Sequence, residues 1–112
     1  MAEQYRRGLH VWPGHAGDGD VAIGLAAARD FAHQDGAIRE AHDFVIRQTG
    51  RRRAGPVQWL VFEREEGLAQ LEQLDIDPGA GLLEYLSKAP TSLLVIAMVA
   101  TDKPRRSRRR RR

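Results

Sequence analysis

Cysteine is absent from the 112 residues. That excludes disulfide staples, thiolate zinc sites and cysteine nucleophiles together. No apolar run exceeds the eight residues 93–100, and a bilayer needs about 20. Arg6 and Arg7 are not followed by an apolar stretch, so no secretory signal is expected. Aromatic residues amount to 6%, too few for a surface built on base stacking. No spacing of residues calls for a cofactor. A soluble cytoplasmic protein with no membrane segment is the expectation. Hydrophobic content of 42% and charged content of 29% are ordinary globular values, which excludes wholesale disorder. The length suits one modest core.

Charge is present in quantity but unevenly placed. Residues 103–112 hold Lys103, Arg105, Arg106, Arg108, Arg109, Arg110, Arg111 and Arg112, and no anion. The other ten cations share residues 1–102 with all fifteen carboxylates, so that part carries −5 and the whole chain +3. The division predicted is a globular domain over 1–102 and an Arg-rich flexible tail over 103–112. Like charges at that density repel and cannot bury a core, so a disordered tail is expected. Pro104 marks its start.

Residues 5–12 read as a first strand, and 13–19 as a loop rich in glycine. Asp20 suits an N-cap, and Val21, Ile23, Leu25, Ala28 and Phe31 fit a helix running to about Gln34 and stopped by Gly36. Residues 37–49 are ambiguous. Ile38, Ala41, Val45 and Thr49 would line a helix, whereas Phe44, Val45 and Ile46 favour β structure. A strand at 40–48 is preferred, paired in a hairpin with a strand at 57–63. Residues 65–74 read as a helix. Residues 77–81 break it, and a second short helix follows to about 89. Residues 92–100 form the last strand. It is apolar on both faces and so belongs at a sheet centre with cover on each side, or with a partner chain on one.

The resulting order is strand, helix, strand, strand, helix, strand. It resembles the split βαβ, ferredoxin-like arrangement: a single α+β domain with a four-stranded antiparallel sheet and helices on one face. The resemblance rests on element order over 5–101, and the fold does not specify a function. A one-sided helical layer leaves the other sheet face needing cover, which makes a homo-oligomer plausible.

The tail is the leading candidate site. Guanidinium groups make bidentate contacts to phosphate. Each neutralised phosphate releases counterions and steepens the salt dependence of binding. Arg51, Arg52 and Arg53, in the expected hairpin loop, add a second point of contact. Arg105, Arg106 and Ser107 also form a possible phosphorylation site. Trp59, besides Phe44, is the strand aromatic considered for base stacking, with Gln58, Leu60 and Phe62 expected on one face of its strand and Trp59, Val61 and Glu63 on the other. Core or self-association explains Trp59 better than base stacking.

The loop from Gly14 to Asp20 lies where phosphate-cradling loops occur, but no Lys follows and its spacing matches no phosphate motif. His10, His15, Asp18 and Asp20 are the residues that could converge on a metal or on acid–base chemistry. Residues 74–81 resemble a helix-hairpin-helix turn through Pro78, Gly79 and Gly81. That resemblance implies backbone N–H groups facing a DNA phosphate, and Asp75, Asp77 and Glu84 would oppose it.

Three functions follow. The first is a non-catalytic nucleic-acid-binding or scaffolding protein whose tail takes RNA or DNA, or another polyanion, without strong sequence choice. The second is an accessory factor of phage or plasmid type whose tail docks on an acidic protein. The third is a small phosphate- or metal-dependent enzyme using the Gly14 to Asp20 loop.

Overall fold

In residues 93–100 no polar side chain interrupts the run Leu-Leu-Val-Ile-Ala-Met-Val-Ala. A strand of this kind has no face to offer water, so it needs neighbours on both edges and cover on both faces. A computed structural model of the chain, which describes residues 10–16, 21–49 and 56–100, meets each demand. The strands are β1 (His10–Ala16), β2 (Val21–Ala28), β3 (Gln58–Glu63), β4 (Ile76–Asp77) and β5 (Leu93–Ala100). The helices are α1 (Gln34–Thr49), entered through a 3₁₀ turn at Phe31–His33, α2 (Arg64–Gln73) and α3 (Gly79–Lys88). The sheet order is β3-β5-β2-β1-β4, and every neighbouring pair is antiparallel.

β5 therefore lies between β2 and β3. Ile96 stands opposite Leu25 on one side and Leu60 on the other. One face of the sheet presents Ile23, Leu25, Leu94 and Ile96 to Leu71 of α2 and to Leu82 and Leu86 of α3. The opposite face presents Ala26, Ala28, Val95 and Val99 to Ala37, Ala41 and Val45 of α1. Each fully buried Leu, Ile or Val side chain contributes about 1.5–3 kcal/mol. Ser92 locks the strand ends together: its N–H donates to the Ala28 carbonyl at 3.1 Å, and its carbonyl accepts from Arg64 N–H at 2.8 Å.

The fold is mixed α+β, with five strands rather than four and helices on both faces rather than one. The expected ferredoxin-like layout does not describe it. The largest correction is at residues 21–34, where the expected helix is instead β2. Val21, Ile23, Leu25 and Ala27 sit on one face, and Ala22, Gly24, Ala26 and Ala28 on the other, by their register with β5. This is a period of two in side-chain size rather than in polarity. Both faces are apolar, so the polarity alternation that marks a half-exposed strand is missing. Asp20, the expected N-cap, lies outside the described residues.

The second correction follows from the first. Residues 40–48 belong to α1, not to a strand, and the expected hairpin with 57–63 does not form. Gly36, expected to stop a helix, lies in the first turns of α1. Ala37, Ala41 and Val45 recur every four residues and are fully buried. They meet the small side of β2 so closely that a Cβ on Gly24 would come within 3.0 Å of Phe44 Cδ2 and 3.2 Å of the Ala41 carbonyl oxygen. The β-favouring Phe44-Val45-Ile46 is overridden by this packing.

The first strand begins no later than His10 and runs to Ala16, so part of the expected 13–19 loop is strand. Residues 5–9 and 17–20 lie outside the described residues. The strand expected at 57–63, the helices at 65–74 and up to 89, and the last strand at 92–100 all stand within one to three residues of their bounds. The central placement of the last strand, covered on both faces, also stands.

Gly67 in α2 provides a test of this packing. A Cβ there would lie 2.8 Å from Leu94 Cβ, an atom fixed to the central strand. Gly67→Ala gains about 1 kcal/mol of helix propensity and loses about 1–3 kcal/mol to overpacking. The expected outcome is a net loss of about 1 kcal/mol, read in thermal unfolding as a Tm lower by roughly 4–8 °C. A Tm equal to or above wild type would show that α2 is not pressed against Leu94.

Candidate functional site

All eleven residues expected to bind nucleic acid, Lys103, Arg105, Arg106, Arg108 to Arg112 and Arg51 to Arg53, lie outside the described residues. Their chemistry is that of the sequence. What the fold decides is the surface to which they are attached. Between residues 10 and 100 the described residues hold five cations, Arg29, Arg39, Arg47, Arg64 and Lys88, against eleven carboxylates. None of these charged side chains is buried. The described surface therefore displays a net −6 to solvent.

The glycine-rich segment takes a different form from the cradle considered for it. Gly14, His15 and Ala16 are strand residues of β1, and His15 and Ala16 pair with Asp77 and Ile76 of β4. His15 thus faces Asp77 across a strand pair. His15, Glu72, Asp75 and Asp77 line one open, acidic groove. Asp18 and Asp20 lie outside the described residues. Among the described residues no three His, Asp or Glu side chains stand close enough together to hold a metal ion. His10 is drawn elsewhere, into an aromatic cluster with Trp12 and Tyr85 at ring-centroid distances of 5.7 and 4.8 Å. Trp12 and Tyr85 are 5.1 Å apart. The cluster seals the seam between β1 and α3.

The segment resembling a helix-hairpin-helix turn is occupied by a strand. β4 interrupts α2 and α3 and joins the sheet edge. Asp77 Oδ1 accepts the Gly79 N–H at 2.9 Å. The amide that a phosphate would need is already taken by a carboxylate, and the like charge repels the phosphate further.

Two histidine contacts were not foreseen from the sequence. His42 and Asp43, expected to point apart on a strand, are helix neighbours with Nδ1 3.6 Å from Oδ1. His33 Nδ1–H donates to Asp30 Oδ1 at 2.6 Å in the 3₁₀ turn. Trp59 and Leu60 are 45% and 41% exposed at the outer edge of the sheet, on opposite faces as expected. Arg64 Nε is buried without a hydrogen-bond partner, beside a shallow groove lined by Phe31, Glu63, Glu65, Thr91, Ser92 and Leu93. No helix among the described residues is long and apolar enough to cross a membrane. Comparison with known proteins returns no match: no family model, no curated relative and no solved structure aligns with this chain.

The Asp30–His33 pair generates a prediction. The hydrogen bond from His33 is the main cause holding the Asp30 carboxyl below the usual carboxylate range, against an opposing effect of desolvation. A carboxyl lowered in the folded state stabilises the fold above its unfolded pKa, and that contribution is lost as pH falls through the folded value. In His33→Ala the Asp30 carboxyl titrates at higher pH than in wild type, read by NMR of the side-chain carboxyl carbon. An unchanged titration would show that the hydrogen bond does not set it.

Proposed function

We propose that this protein is a non-catalytic binding protein that holds RNA or DNA through its Arg-rich C-terminal run, by phosphate contact and without sequence choice. The observation that carries the reading is the separation of charge. Eight cations crowd residues 103–112, whereas the described surface is net −6. A phosphate chain is repelled by the described surface and attracted by the tail, so affinity rests with the arginines. The apolar side chains of the sheet are engaged by helices on both faces. Among the described residues no exposed row of aromatics remains on a central strand to stack bases, which favours phosphate contact over direct base readout.

The test is a salt titration of binding to a single-stranded oligonucleotide, followed by fluorescence anisotropy. If all eight tail cations reach phosphate, log K falls against log salt with a slope of about −6. The same chain with Lys103 and the seven tail arginines replaced by serine should lose binding at physiological salt. Binding that survives this replacement, or a tail that takes an acidic protein while ignoring oligonucleotides at low salt, would refute the reading.

A further inference from the structure

We draw no further inference here: the strongest candidate, the open groove beside β4 lined by His15, Glu72, Asp75 and Asp77, is a cluster of acidic side chains among the described residues, and nothing in the structure points to the ligand that it would take.

Discussion

Everything in this fold hangs on β5 having no polar side. Leu93, Leu94, Val95, Ile96, Ala97 and Val99 are all buried, and a strand of that composition is stable only as the middle of a three-layer stack. Its two edges recruit β2 and β3. Its two faces require cover, which α1 provides on one side and α2 with α3 on the other. β5 comes last among the described elements, and its neighbours come from separate earlier stretches of sequence. Non-local pairing of this kind makes stability and register depend on the whole assembly rather than on any one hairpin.

The two faces of β2 show how such a stack is fitted. Large side chains at Val21, Ile23 and Leu25 meet the leucines of α2 and α3. Alanine and glycine on the other face allow α1 to lie close, with its own alanines against the sheet. Volume is distributed unequally between the two cores, and each helix layer matches the side it covers. The exposed residues then carry the charge. Among the described residues no charged residue is fully buried, so the described surface has one dominant sign. That surface is a poor host for phosphate.

Some elements were legible in sequence because one property sufficed. β3 is β-branched and aromatic, β5 is continuously apolar, and α2 and α3 carry leucines at helical spacing. The failures share a cause. In β2, alanines and glycine occupied positions that either a helix or a strand could hold, and the strand signal lay in size rather than polarity. In α1, Phe44-Val45-Ile46 pointed to a strand, and only the small side of β2 waiting opposite Ala37, Ala41 and Val45 decided for helix. The pairing of His15 with Asp77 joins residues 62 positions apart through a two-residue strand, for which no local pattern exists. The Asp77–Gly79 contact likewise turned a sequence resembling a phosphate-binding turn into a self-satisfied cap.

By itself the sequence determined composition-level properties: a single small α+β body, acidic in balance, ending in a dense cationic run, with no thiol chemistry and one strand bound for the interior. Those follow from side-chain chemistry, which is fixed residue by residue. Tertiary structure alone decided which apolar segments became helix, that both sheet faces are covered, and that β3 is the outermost described strand beside β5. Those outcomes depend on what packs opposite each residue, and apolar surface can be buried against more than one partner until the whole chain selects one.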